Sequence, residues 1–185
     1  MKLVDITRAE TIEGGMNPIE LEWLAERASH CGLVVEIGSL RGRSARAMAD
    51  NMTGDGVLFC VDHFHGSEEH GDAFSKDDTL YHTFNANMRD HLDSGRVLVW
   101  RLPSVEAAAL MRDYAGKLDM VFIDASHDYD SVMADIAAWR PLLRPGGLLS
   151  GHDYGHPPIE RAIETVFGGR LPTVPGGSIW WAVMP

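Results

Sequence analysis

Short apolar runs alternate with amphipathic stretches along most of the chain. The runs are rich in Val, Ile and Leu and stop at Gly or at a polar residue, which is typical of strands buried in a parallel sheet. Taken together, they predict seven strands, at residues 33–38, 56–62, 96–100, 119–124, 148–153, 170–174 and 178–184.

The stretches between the runs carry helix signals. The first helix has Asn17 as its expected N-cap and Pro18 at its first position, and the last one stops at Gly168 and Gly169. Strands that alternate with helices indicate an α/β protein with a mostly parallel sheet. The predicted helices cover residues 17–31, 43–52, 79–92, 105–114, 129–143 and 158–167.

The last two predicted strands are joined by only a Pro-Gly-Gly turn. This connection is too short for a helical crossover, so one strand near the C-terminus is expected to be antiparallel. In parallel sheets, ligands bind at the carboxyl ends of the strands. Five predicted strands end at a polar residue on that edge, and these residues are Glu36, Asp62, Arg101, Asp124 and Asp153.

Residues 63–78 form a long polar connection rich in His and acidic residues. Connections of this length in a compact domain are commonly lids or binding loops, and we interpret this one as a mobile lid. We assign His63, His65 and His70 to the lid, because their irregular spacing does not favour a second metal cluster.

The composition describes one globular domain covering residues 1–185. The formal net charge of −11 disfavours binding to nucleic acid or to an anionic membrane. The two cysteines, Cys31 and Cys60, are interpreted as free buried thiols in a reducing compartment. No signal peptide or long apolar span is apparent, so we expect a cytoplasmic protein.

A glycine loop joins the first strand to the following helix in the sequence VVEIGSLRGRSARAMA. Leu40 stands where a dinucleotide fingerprint needs its second glycine, and the Lys-Ser/Thr pair of a P-loop is absent. The spacing Glu36-x-Gly38-x-x-x-Gly42 resembles the first motif of class I S-adenosylmethionine-dependent methyltransferases. The resemblance implies a Rossmann-like, three-layer fold and an acidic residue, here Asp62, that binds the ribose of the cofactor.

The same resemblance implies a set of cofactor-binding residues around this loop and at the neighbouring strand ends. Ser104 precedes a helix at a position that often lies near the adenine in this family, although a helix N-cap explains it equally well. The expected S-adenosylmethionine site comprises Glu36, Gly38, Ser39, Gly42, Ser44, Asp62, His63, Ser104 and Asp124.

The sequences FIDASH (122–127) and GHDY (151–154) follow the fourth and fifth strands. They resemble the small metal-dependent O-methyltransferases, which carry D-x-x-H and then a pair of polar ligands at these places. The resemblance implies a divalent metal held by Asp124, His152 and Asp153. His127, with Asp124, would be catalytic, since a histidine is suited to take a hydroxyl proton near neutral pH.

One position departs from that pattern, because His152 replaces a carboxylate of related enzymes. Imidazole suits Mn²⁺, Fe²⁺, Co²⁺ or Zn²⁺ better than Mg²⁺. Three alternatives stay open: a softer metal, another role for His152, or no metal. Asp124 or Ser126 could instead cap the following helix.

The implied function is methyl transfer to a hydroxyl of a small molecule, such as a sugar or a natural product. The acceptor is not encoded in any motif. A cofactor-binding module that lacks catalysis, an NAD-dependent oxidoreductase and a metallohydrolase are alternatives. A homo-oligomer also stays open, since the resembled family often forms dimers or larger rings.

Overall fold

Six strands form one sheet in the part of the chain that the computed structural model describes, residues 3–66 and 78–185. Each of the first five predicted strands is confirmed, with ends shifted by a few residues. The strands are β1 (Leu33–Ile37), β2 (Val57–Val61), β3 (Val97–Trp100), β4 (Leu118–Ile123), β5 (Leu143–Gly151) and β6 (Trp180–Val183).

The strand order is β3-β2-β1-β4-β5-β6, with β6 antiparallel to β5 and all other neighbours parallel. The mostly parallel sheet with one antiparallel strand is therefore confirmed. The chain runs outward from β1 to β3 and then returns to place β4 on the other side of β1. The carboxyl ends of β1 and β4 thus form the switch point where α/β sheets bind ligands.

The prediction of a seventh strand at residues 170–174 is wrong. Within this segment only Thr173 bridges to Trp180, as an isolated antiparallel bridge. Pro172 has no N–H to donate to a ladder, and a turn begins directly afterwards, where the N–H of Gly177 donates to the carbonyl of Val174. The segment is therefore too short and too poor in donors to extend the sheet.

Six of the helices occupy the predicted places, and a short first helix was not predicted. None of the helices in the described ranges combines the length and apolar character needed to cross a bilayer. The helices are α1 (Thr7–Glu10), α2 (Pro18–Ala28), α3 (Arg43–Asn51), α4 (Thr79–Asp93), α5 (Ser104–Leu110), α6 (Tyr129–Trp139) and α7 (Pro157–Phe167).

Alternate residues of the central strands enter two separate cores, which confirms the three-layer architecture. Val34 on β1 and Phe122 on β4 pack with α2, α3 and α4 on one face of the sheet. Val35 and Val121, one position away on the same strands, pack with α5, α6 and α7 on the other face. Because both faces are covered, the open carboxyl edge is where polar residues of the strands reach solvent.

Gly38 lets the ends of β1 and β4 approach at van der Waals distance. Its φ is +85°, and a Cβ atom at this position would lie 2.0 Å from the carbonyl oxygen of Asp124. A side chain would therefore collide with backbone, which cannot move aside as a flexible side chain can. This contact between the strands requires glycine at position 38, independently of any ligand.

We expect Gly38→Ala to lower the free energy of unfolding by about 3 kcal/mol, because it combines a left-handed backbone with overpacking. Gly54→Ala is the matched control: its φ is +59°, but nothing lies within 4 Å of the added Cβ. The control should lose about 1 kcal/mol. Urea denaturation of both variants measures the difference, and equal losses would contradict the close-approach argument.

Candidate active site

An open cleft of about 320 Å³ lies at the carboxyl edge of the sheet, above the ends of β1, β2, β4 and β5. Most of the residues predicted from the sequence line it. On the side of β1 and β2 these are Gly38, Ser39, Ser44, Asp62 and His63, and on the side of β4 and β5 they are Asp124, His127, His152 and Asp153. The structure therefore brings both predicted groups of residues into one cleft.

Three predicted cofactor residues do not line this cleft. Glu36 is fully buried beneath the glycine loop. Gly42 faces α4, since a Cβ atom added to it would lie 3.1 Å from the Met88 side chain. The hydroxyl of Ser104 accepts a hydrogen bond from Trp139 Nε1 at 2.8 Å.

The interpretation of Ser104 as a helix N-cap is wrong, because it is the first residue of α5 and Pro103 precedes it as the cap. Its hydroxyl joins α5 to α6 through Trp139, so this serine has a packing role in the described structure. Periodicity did not indicate this contact, which spans 35 residues of sequence.

Asp62 fastens the glycine loop to the end of β2. Its carboxylate accepts the backbone N–H of Leu40 at 2.9 Å and that of Phe64 at 2.6 Å. Both residues have positive φ, +47° and +58°, a conformation that costs a non-glycine residue about 1–2 kcal/mol. Strained backbone of this kind gathers at functional sites, and each oxygen of Asp62 keeps a further lone pair for a ligand.

Glu36 is a buried carboxyl group with one satisfied oxygen. Its Oε2 accepts a hydrogen bond from the Ser39 hydroxyl at 2.5 Å, whereas Oε1 has no hydrogen-bond partner among the described residues. Burial raises the pKa of Glu36 to about 7, and the charges of Asp124 and Asp62 act in the same direction. An acidic group of this kind favours a cationic ligand above the loop.

The three predicted metal ligands lie together at the ends of β4 and β5. Asp124, His152 and Asp153 each offer a donor atom within 4.8 Å of the others. The parallel pairing of Ile123 with Gly151 explains this, because the next residue of each strand emerges at the same edge. His152 Nδ1 lies 3.2 Å from Asp153 Oδ1 and 3.6 Å from Asp124 Oδ1.

Charge in this cluster is balanced by His152. Burial opposes the charged imidazole, but hydrogen bonds to Asp153 and Glu20 outweigh it and raise the pKa of His152 to about 10. Burial raises the pKa of Asp124 to about 6. Burial also acts to raise the pKa of Asp153, but hydrogen bonds from His127 and His152 hold it well below its usual range. A site with two carboxylates and one imidazole suits a divalent first-row metal ion.

His127 lies beside the cluster, with its Nε2 atom 2.9 Å from Asp153 Oδ2. Its ring also packs near His156, with 5.5 Å between ring centroids. The N-cap of α6 is Asp128, whose side chain accepts the N–H of Ser131 at 2.9 Å. The capping interpretation of Asp124 and Ser126 is therefore wrong, and the Asp124 side chain is available to the cleft.

The N-terminal segment also lines the cleft, and the sequence reasoning missed it. Residues 13–16 form one wall. Arg43 holds this wall by donating to the carbonyls of Ile12 at 2.5 Å and Met16 at 3.0 Å. The Gly14-Gly15 pair was the available signal, since adjacent glycines mark a tight chain path.

The lid interpretation of residues 63–78 stays a prediction. Residues 67–77, including His70, lie outside the described residues. His63 and His65 stack with 5.5 Å between their ring centroids, and His63 borders the cleft. Arg101, predicted on the same edge, instead forms an ion pair with Asp78.

A sequence model of a protein family described as a methyltransferase domain matches residues 35–154. The chain belongs to this methyltransferase family. The match runs from β1 to just beyond β5, so it includes both the glycine loop and the Asp124–His152–Asp153 cluster. It confirms the resemblance to class I S-adenosylmethionine-dependent methyltransferases and leaves the oxidoreductase and metallohydrolase alternatives without support.

Solved structures share the fold of this methyltransferase. An O-methyltransferase from Bacillus cereus, in complex with SAH, has a TM-score of 0.68 at 18% identity, covering 96% of this chain and 86% of its own. TomG, an O-methyltransferase of tomaymycin synthesis from Streptomyces achromogenes, in complex with SAM, has a TM-score of 0.66 at 15% identity, covering 92% and 82%. CalS11, a TDP-rhamnose 3′-O-methyltransferase of calicheamicin biosynthesis, has a TM-score of 0.62 at 15% identity, covering 89% and 77%.

The buried carboxyl of Glu36 predicts a particular pH dependence of stability. The folded protein binds its proton up to about pH 7, whereas the unfolded chain releases it near 4.5. Between these values only the folded state holds the proton, so the free energy of unfolding falls as pH rises. Glu36→Gln removes this loss, which is on the order of 3 kcal/mol by pH 8.

We therefore expect Glu36→Gln to gain stability relative to the unmodified protein between pH 4.5 and pH 8, in urea denaturation without ligand. The exposed Glu22 provides the control, because Glu22→Gln should show no such gain. A pH-independent difference for Glu36→Gln would show that the carboxyl ionises alike in both states.

Proposed function

We propose that this methyltransferase transfers the methyl group of S-adenosylmethionine to a hydroxyl of a small molecule, with the assistance of a divalent metal ion. One observation carries the proposal: a single cleft has the glycine loop and Asp62 at one end and the Asp124–His152–Asp153 cluster with His127 at the other. Two proteins of the same fold support a sugar or natural-product-like acceptor, since CalS11 acts on TDP-rhamnose and TomG serves tomaymycin synthesis.

The end of the cleft at β1 and β2 fits the cofactor. Asp62 is fixed by two backbone N–H groups, so its remaining lone pairs are oriented in advance to accept hydrogen bonds from the two ribose hydroxyls. The negative charge of Asp62, together with the acidic groups around it, favours a cationic ligand over a phosphate. When bound, S-adenosylmethionine supplies a methyl group on a positively charged sulfur.

The end of the cleft at β4 and β5 fits the metal and the acceptor. Asp124, His152 and Asp153 would hold the ion, and a divalent ion there supplies Lewis acidity that lowers the pKa of an acceptor hydroxyl. The two oxygens of Asp153 have separate partners, because Oδ1 faces His152 and Oδ2 faces His127. Asp153 can therefore serve the metal cluster and orient the histidine at the same time.

His127 takes the proton of the acceptor hydroxyl in this proposal. Its Nε2 atom lies 2.9 Å from Asp153 Oδ2, which orients the ring at the wall of the cleft. Asp153 then stabilises the positive imidazole that results. A positioned base of this kind contributes a factor of about 10²–10⁴ to the rate.

Asp62→Asn should weaken the binding of S-adenosylmethionine by about 10–100-fold, because hydrogen bonds to a charged acceptor contribute about 1.5–3 kcal/mol. Isothermal titration calorimetry measures the effect. The control is Asp55→Asn on an exposed turn, which should bind as the unmodified protein does. Unchanged affinity in Asp62→Asn would place the cofactor elsewhere.

His127→Ala should lower methyl transfer by about 10²–10⁴-fold, while its affinity for S-adenosylmethionine changes less than twofold. Release of S-adenosylhomocysteine is followed with a panel of sugars, phenols and hydroxylated natural products as acceptors. His30→Ala, at an exposed position, is the control. Full activity in His127→Ala would remove the histidine from the mechanism.

Cofactor binding by the unmodified protein without turnover of any hydroxyl acceptor would count against O-methyl transfer.

A further inference from the structure

We propose that Glu20 is a positioning residue that orients His152 so that its Nδ1 atom is presented to the metal ion. The inference rests on the metal site of the proposed function. Glu20 lies on α2 and is only 2% exposed. Its Oε1 atom lies 3.1 Å from His152 Nε2, across 132 residues of sequence.

Glu20 is itself held in place from two directions. Its Oε2 atom accepts the backbone N–H of Asn17 at 3.0 Å, which completes a capping box at the start of α2. Its Oε1 atom accepts the backbone N–H of Ser178 at 2.6 Å. The chain before β6 passes directly against it, since a Cβ atom added to Gly177 would lie 2.5 Å from Glu20 Cγ.

The two oxygens of Glu20 therefore have different tasks. Capping α2 occupies Oε2 alone, and a capping-box glutamate on a helix end can remain in solvent. Removing a carboxylate from water is costly unless partners compensate for the lost hydration. Here the compensation comes through Oε1, from His152 and from Ser178, whose hydroxyl also lies 3.0 Å from His152 Nε2.

This arrangement decides which nitrogen of His152 faces the cluster. Nε2 is engaged by Glu20 and Ser178, so the ring presents Nδ1 to Asp124 and Asp153. A carboxylate on the far nitrogen of a histidine fixes both its tautomer and its ring orientation for metal binding, and losing such a partner typically costs 10–100-fold in metal affinity. Glu20 thus connects α2 to His152, the proposed metal ligand at the end of β5.

Manganese binding tests the proposal without relying on activity. The full chain is titrated with Mn²⁺, and free Mn²⁺ is measured by electron paramagnetic resonance. We expect the dissociation constant to rise about 10–100-fold in Glu20→Gln, which keeps the size of the side chain and an oxygen for the Asn17 N–H. Cofactor affinity, measured in parallel, should stay within twofold.

Asn17→Ala is the matched control, because it removes the other half of the same capping box and leaves the contact between Glu20 and His152. It should lower the free energy of unfolding by about 1 kcal/mol with Mn²⁺ affinity unchanged. Equal losses of Mn²⁺ affinity in both variants would mean that only the stability of α2 matters, and would overturn the positioning role.

A second measurement follows metal binding to the unmodified protein, and a variant serves only to assign the resonances. In ¹⁵N spectra of histidine-labelled protein, Zn²⁺ should shift the Nδ1 resonance of His152, assigned by its loss in His152→Gln, more than the Nε2 resonance. A larger shift at Nε2 would overturn the proposal. If the unmodified protein binds cofactor but neither metal, the metal site and the positioning role both fall. If it binds Mn²⁺ and Glu20→Gln does so equally well, only the positioning role falls.

Discussion

The pairing of β1 with β4 is the constraint on which the site depends. At the end of β1, the N–H of Gly38 donates to Val61 of β2, and the carbonyl of Ile37 accepts from Asp124. The ladder therefore continues one residue beyond both strands and holds the glycine loop against the Asp124 segment. No Cβ atom fits between them. The glycine-loop end and the cluster end of the cleft consequently belong to one continuous edge of the sheet, which suits the in-line transfer proposed for this site.

Carboxyl groups give that edge of the sheet an excess of negative charge. Glu36, Asp62, Asp124 and Asp153 lie in or beneath one cleft, and carboxylates in such proximity are stable only with compensating partners. Backbone N–H groups serve Asp62, and His127 and His152 serve Asp153. Burial raises the pKa of Glu36 to about 7 and that of Asp124 to about 6. The remaining negative charge of these carboxyl groups favours positively charged ligands, such as a sulfonium or a metal cation, over an anionic nucleotide.

The sequence was sufficient to predict this edge because parallel strands expose their last residues on the same side. Asp62, Asp124 and Asp153 were placed at this edge by that rule, which needs no knowledge of distant contacts, whereas His152 was assigned through the resemblance to metal-dependent O-methyltransferases. The N-cap interpretation of Ser104 was wrong for the opposite reason. Its partner Trp139 is 35 residues away, and nothing in a local pattern states that α5 and α6 pack at that point.

Glu20 and Arg43 likewise make contacts that a local sequence pattern does not reveal. The sequence correctly indicated a helix starting at Asn17, yet a capping glutamate looks the same whether it faces solvent or a histidine from β5. Likewise, Arg43 follows the glycine loop as a surface residue would, and only the folded chain turns its guanidinium toward the carbonyls of Ile12 and Met16. The chain from Ile12 to the start of α2 is thus tied to both ends of the cleft, by Arg43 beside the glycine loop and by Glu20 beside His152. Because these contacts lie at opposite ends of the cleft, the proposed mechanism gives this segment a role in setting the distance between the methyl donor and its acceptor.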